Sequence, residues 1–197
     1  MYPTGRGRAL LPAAVITMLL AGCTGTSVAP GPGKAARATS SAALAGASAL
    51  ACGNYIANNA SAAPLPVVLG VVGLPASPRY PALGTSLSGD GSGAPRLFAK
   101  TGLVIRPGTT FELIVPAAFA KRLSIGWGLP GTRSHRVMVS DCPDPGRGWL
   151  AYAGGYWIDH PACVPIIVRS GGRQQTVHIG LGTPCPGQRP PQGPTQS

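Results

Sequence analysis

The stretch C-V-P-I-I-V-R-S-G-G-R-Q-Q-T-V-H-I-G-L, from Cys163 to Leu181, reads as two strands and the turn between them. Val164 to Arg169 is extended. Gly171-Gly172 is a two-residue hairpin turn of the kind that needs positive φ at both positions. The return strand places Val177, Ile179 and Leu181 on one side and Thr176, His178 and Gly180 on the other. A period of two is the mark of a strand with one buried face.

The same signal recurs upstream. Phe111, Leu113 and Val115 alternate with Thr110, Glu112 and Ile114, behind a Pro107-Gly108 turn that predicts a hairpin with Leu103-Val104-Ile105. Leu123, Ile125, Trp127 and Leu129 alternate with Ser124, Gly126 and Gly128, which predicts one buried face. Val137 and Val139 share a side. W-L-A-Y-A-G-G-Y-W-I, residues 149–158, reads as strand, Gly-Gly turn or bulge, and strand. Residues 64–74 read as one buried strand bent at Gly70, and residues 85–95 as a loop with a turn at Asp90-Gly91.

With 29 Gly and 22 Pro, helix has little room, since Gly costs roughly 1 kcal/mol and Pro roughly 3 in a helix interior. Seven to nine short strands with regular turn signals predict an all-β domain. The expected architecture is an antiparallel β-sandwich, immunoglobulin-like, or a small barrel.

The N-terminus carries a different message. Arg6 and Arg8 precede an apolar run, and Leu20-Ala21-Gly22-Cys23 has the form of a lipobox. This is a lipoprotein signal peptide over 1–22, too short for a spanning helix. The thiol of Cys23 takes the acyl chains. Residues 23–51 are Ala, Gly, Ser and Pro with two cations, and predict a flexible tether. The β domain is expected over 52–186, with a disordered tail over 187–197.

Setting Cys23 aside leaves Cys52, Cys142, Cys163 and Cys185, an even set in an exported chain, and so two disulfides. Of the three pairings, Cys142–Cys163 and Cys52–Cys185 are expected: a short loop, and a staple between the ends of the domain. There is no C-x-x-C, and the histidine near a cysteine is His160, three before Cys163, so no metal is expected.

G-G-Y-W-I-D-H-P-A-C-V-P-I-I-V, residues 154–168, followed by T-V-H-I-G-L-G-T-P-C, residues 176–185, resembles a group of uncharacterised exported lipoproteins of actinobacteria. The resemblance covers about residues 110–186. It implies a cell-envelope protein with paired cysteines, and it carries no activity.

Catalytic patterns are weak. No G-x-S-x-G elbow exposes a nucleophile. Asp159 and His160 are adjacent, and on a strand they would point to opposite faces. Glu112 and the four aspartates do not suggest a glycosidase pair. The aromatic segment is richer: Trp149, Tyr152, Tyr156 and Trp157 are candidate ligand-binding rings, able to stack on sugars if exposed. The competing reading puts them in the core, a buried Trp against a disulfide being a recurring sandwich feature.

The chain holds 16 Lys+Arg against 5 Asp+Glu, a net charge of +11 that falls by two when Arg6 and Arg8 leave with the leader. Scattered singly, these cations favour anionic lipids or wall polymers over nucleic acid. The expectation is a lipid-anchored, non-catalytic binding or interaction module on the outer face of the plasma membrane, without a cofactor. A carbohydrate or anionic wall-polymer module is the alternative, and an extracytoplasmic hydrolase the second. Protein partners are left open. Cys23→Ala is expected to release the protein from the membrane fraction or leave it unprocessed; a variant that is cut and fractionates like the parent refutes the lipobox.

Overall fold

A computed structural model describes residues 46–88, 96–128, 132–146 and 148–193. The lipobox with Cys23, most of the tether and the last four residues lie outside the described residues. In chain order the strands are β1 (Ala47–Ala49), β2 (Ala57–Asn59), β3 (Val67–Val68), β4 (Val72–Gly73), β5 (Ser86–Ser88), β6 (Arg96–Lys100) and β7 (Leu103–Ile105). They continue as β8 (Phe111–Ile114), β9 (Leu123–Trp127), β10 (Arg136–Val139), β11 (Trp149–Tyr152), β12 (Gly154–Ile158), β13 (Ala162–Ser170) and β14 (Arg173–Leu181). The helical content of the described residues is two 3₁₀ turns, Cys52–Asn54 and Ala117–Phe119.

The all-β expectation holds. Three sheets form, in the orders β1-β10-β8-β13-β14, β2-β11-β7-β4-β3 and β5-β6-β12-β9. Every pair is antiparallel except β1 with β10. The hairpin that opened the sequence reading is the longest pairing, Ala162 opposite Leu181 through Ser170 opposite Arg173. Its loop has φ of 53° at Gly171 and 74° at Gly172, the conformation that excludes most side chains. Val164, Ile166 and Val168 are fully buried, as are Ile179 and Leu181. Each such side chain contributes about 1.5–3 kcal/mol of burial free energy. Phe111, Leu113 and Val115 also face inward as their period requires.

The ribbon of β6–β7 against β11–β12 ties two sheets together. Gly155 lies opposite Lys100 and Tyr152 opposite Leu103, so both chains advance three residues between the sheets with no slip. Thr101 N–H donates to Gly154 O at 3.0 Å and fills the gap. One continuous ribbon therefore bends from the third sheet into the second. Gly154-Gly155 is neither turn nor bulge, contrary to expectation. A Cβ on Gly154 would strike Gly126 O and the backbone of Trp127, and one on Gly155 would strike Ala99 O. The glycines let the backbones cross closely.

Two single bridges join the first and third sheets. Ile125 of β9 pairs with Ser134, just before β10, through reciprocal N–H···O bonds of 2.9 Å. Leu83, just before β5, pairs with Leu181 of β14. Stitched at both seams, the sandwich is part-way to a barrel.

Several expectations are corrected. Pro107-Gly108 makes its turn, but β7 pairs with β4 and β11 while β8 pairs with β10 and β13. The turn is an arch between sheets, because each flanking strand finds its neighbours elsewhere. Residues 64–74 form the two short strands β3 and β4 around Leu69-Gly70. The 85–95 loop contains β5; its Asp90-Gly91 turn lies outside the described residues. β9 is buried on both faces, with Ser124 and Gly126 covered as well as Leu123 and Ile125, because the segment around Thr132 lies over its outer side. The domain starts before Cys52: β1 pairs with β10, and Leu50 enters the core. Residues 187–189 are not a frayed tail. Gln188 is buried, its Oε1 accepts from Cys185 N–H at 2.9 Å, and its Nε2 donates to Tyr80 O at 2.8 Å.

All four cysteines are bonded, in the pairs Cys52–Cys142 and Cys163–Cys185. This overturns the expected Cys142–Cys163 and Cys52–Cys185 links. The parallel pairing of β1 with β10 explains the first bond: the chain leaving β1 runs beside the chain leaving β10 and delivers Cys52 to Cys142. The hairpin explains the second, since Cys163 starts β13 and Cys185 follows the end of β14. Their sequence separations are 90 and 22. In the chain-entropy account, removing the long link costs about 4.5 kcal/mol and the short one about 3.5. Peptide mapping without reduction is expected to recover these two links. Cys52→Ala/Cys142→Ala is expected to lower the unfolding midpoint more than Cys163→Ala/Cys185→Ala.

Candidate functional site

The alternation of β6 and β12 decides which rings reach the surface. Leu97, Ala99, Tyr156 and Ile158 turn inward and are buried. Phe98 and Trp157 are cross-strand partners on the outer face of the third sheet. Their ring centroids are 4.7 Å apart with planes inclined by 31°. Such an offset pair adds about 0.5–1.5 kcal/mol beyond area burial. The bridge between Ser134 and Ile125 brings Arg133 alongside, with its guanidinium carbon 4.9 Å from the Trp157 ring centroid. Burial of that guanidinium lowers its pKa, and an arginine still keeps its charge at neutral pH.

Two more cations flank the rings. Arg96 and Lys100 occupy the same face of β6, two residues either side of Phe98, which is roughly 6.6 Å along a strand. Arg96 Nη2 makes a long contact to Lys121 O at 3.5 Å. None of β5, β6, β9 and β12 carries an acid. The face is thus a half-buried aromatic pair, one stacked guanidinium and two strand cations.

The four expected rings divide between inside and outside. Tyr152 is fully buried against a disulfide: its O–H donates to Cys52 O at 2.9 Å, and its oxygen lies 3.8 Å from Cys142 Sγ. The ring beside the disulfide is therefore a tyrosine, where a Trp was expected. Tyr156 is fully buried edge-on to Trp127, with centroids 5.3 Å apart. Its hydroxyl has no partner among the described residues. Trp149 is 8% exposed on the outer side of the second sheet, covered by Ala62, Val104 and Ala151, with Arg106 over its ring at 5.2 Å. Trp157 alone of the four reaches the aromatic face. A single platform of coplanar rings does not form, because neighbouring residues of a strand point to opposite faces.

Phe98, Arg133, Arg96 and Lys100 were missed. The signal for three of them was present: R-L-F-A-K places two cations and a phenylalanine at period two on one face. Arg133 had no such signal, since only the seam bridge brings it to Trp157.

Asp159 and His160 do touch, contrary to the expectation from a strand. They lie in the bend after β12, where Asp159 Oδ1 is 2.8 Å from His160 Nδ1 and accepts from His160 N–H at 2.9 Å. The other ring nitrogen, Nε2, lies 3.3 Å from Arg122 Nη1. A guanidinium offers no nucleophile for an imidazole to activate. Among the described residues, no three or more His, Cys, Asp or Glu side chains group to hold a metal. Glu112 lies on the first sheet, 3.8 Å from Arg136 and 3.7 Å from Arg169.

No protein-family model, no curated protein and no solved structure matches this chain.

Burial raises the pKa of Tyr152 to about 12, with a further contribution from Tyr55, and pushes that of Tyr156 up further. A phenol held neutral in the folded state lends stability that is complete below its unfolded pKa of about 10 and declines above it. Unfolding free energy is therefore expected to fall between about pH 10 and 12. Spectrophotometric titration is expected to show Tyr152 and Tyr156 ionising after the exposed tyrosines. Tyr152→Phe is expected to flatten that decline.

Proposed function

We propose that this chain is a lipid-anchored, non-catalytic binding module of the cell envelope, held by Cys23 at the outer face of the membrane. The outer face of its third sheet grips an anionic, sugar-containing wall polymer. The lipobox supports the location. So do the two disulfides, which belong to an oxidising compartment.

The observation that carries the reading is the Phe98–Trp157 pair under Arg133, flanked by Arg96 and Lys100 on a face whose strands lack acids. Sugar rings have apolar faces that lie on aromatic ones, and the fork of an arginine matches carboxylate or phosphate oxygens. Rings set register while cations set affinity. A purely electrostatic contact would not need the rings, and a neutral-sugar module would not need the cations.

The hydrolase alternative has less support, since His160 faces Arg122 where an acyl-transfer site would place its hydroxyl.

The test uses the full chain carrying Cys23→Ala, so that the lipid plays no part. Binding to purified anionic wall polymer is expected to weaken as salt shortens the screening length from about 10 Å at 0.1 M to about 3 Å at 1 M. A residue of binding supplied by the rings should persist. Trp157→Ala is expected to remove that salt-resistant part, and Arg96→Gln/Lys100→Gln to remove most of the salt-sensitive part. Equal binding by parent and both variants overturns the site. Binding to anionic vesicles but not to polymer overturns the polymer as ligand.

A further inference from the structure

A second site lies away from the aromatic face, at the end of the second sheet. Arg106, Pro107, Asp144, Gly148, Trp149 and Ala60 surround a cavity of about 330 Å³. That is the volume of a small-ligand pocket.

Backbone hydrogen bonds tie its walls together. Arg106 follows β7, and its N–H donates to Val71 O at 2.8 Å. Gly108 N–H, two residues on, donates to Cys142 O at 2.8 Å, and Asp141 N–H to Thr109 O at 3.2 Å. These bonds stitch the arch carrying Arg106 to the loop carrying Asp144, and Cys142 is fixed to Cys52. The floor is Trp149, set by its pairing with Asn59 of β2.

Arg106 and Asp144 are both exposed at the mouth of this cavity. Arg106 lies over the Trp149 ring at 5.2 Å, within the range of a cation–π contact. The guanidinium still carries N–H donors that a ligand can use. Asp144 Oδ1 accepts from Gly146 N–H at 2.7 Å and Gly148 N–H at 3.3 Å, which orients the carboxylate. Among the described residues neither Arg106 nor Asp144 makes an ion pair. Among the described residues, a cation and an anion thus border the same cavity without an ion pair between them.

We infer that this cavity binds a small α-amino acid as its zwitterion, the carboxylate on the Arg106 fork and the ammonium on Asp144. A molecule with both charges supplies a charge-assisted hydrogen bond at each end. A carboxylate or an ammonium alone satisfies one wall and leaves the other charge without its complement. The cavity is built on a different sheet from the Trp157 face, so the two sites stand or fall separately.

The probe is L-alanine, added to the full chain carrying Cys23→Ala, with the indole N–H resonance of Trp149 followed by NMR and assigned by Trp149→Phe. A saturable shift is expected. Propionate and ethylamine, each carrying one of the two charges, are expected to bind at least about tenfold more weakly. Arg106→Gln and Asp144→Asn are each expected to weaken alanine binding by about tenfold or more. Asp144→Asn keeps an oxygen for Gly146 and Gly148, so the loop is retained while the charge is lost. Trp157→Ala should leave the titration unchanged, which separates this site from the polymer face. No shift with alanine, equal affinity for propionate, or unchanged binding by Asp144→Asn overturns the proposal.

Discussion

One register governs this domain: the antiparallel pairing of residues 97–105 with residues 150–158. It runs without a slip through a bend and serves two sheets. Side chains alternate along each strand, so the register fixes at once which rings are core and which are surface. A one-residue slip of β11–β12 would turn Tyr152 and Tyr156 outward and drive Trp157 in, and a one-residue slip of β6–β7 would drive Phe98 and Lys100 in. Burying Lys100 without a partner would cost several kcal/mol. The close approaches at Gly154 and Gly155 reinforce the choice, since each leaves room for no Cβ.

The seams complete what the ribbon begins. Single bridges at Ile125–Ser134 and Leu83–Leu181 join the first and third sheets, leaving less edge for a foreign strand to pair with. The same contacts have chemical consequences. The Ser134 bridge sets Arg133 over Trp157, and the chain beyond β1 delivers Cys52 to Cys142 beneath Tyr152. Buried polar groups meet one another here, as the Tyr152 hydroxyl does with Cys52 O. The exceptions among the described residues are Asn58 Oδ1, Arg122 Nε, Ser124 Oγ and the Tyr156 hydroxyl.

Both candidate surfaces follow a common pattern, an arginine laid on a tryptophan: Arg133 on Trp157 and Arg106 on Trp149. In each, backbone hydrogen bonds or bridges bring the arginine to its ring. They differ in company. The first has further cations and no acid on its strands, which suits an extended anion. The second has one oriented carboxylate across a small cavity, which suits a small molecule of both charges.

The sequence by itself determined the strands with strict alternation and the all-β class. Val164 to Leu181, Phe111 to Val115 and Val137-Val139 were legible because a period of two is a local property of the chain. The Gly171-Gly172 turn was legible for the same reason, since positive φ is demanded by the turn itself. Partnership was not legible. Pro107-Gly108 has the chemistry of a hairpin turn, yet its two strands pair elsewhere. The cysteine pairing followed the parallel neighbourhood of β1 and β10, a contact between segments about 90 residues apart that no local pattern encodes. Likewise the aromatic segment announced four rings, but only the register sorted Trp157 from Tyr152 and Tyr156, and only a seam bridge supplied Arg133. Local periodicity states which side of a strand is apolar. Which strand lies beside it is a competition among burial areas across the whole chain, and the tertiary structure alone resolves that.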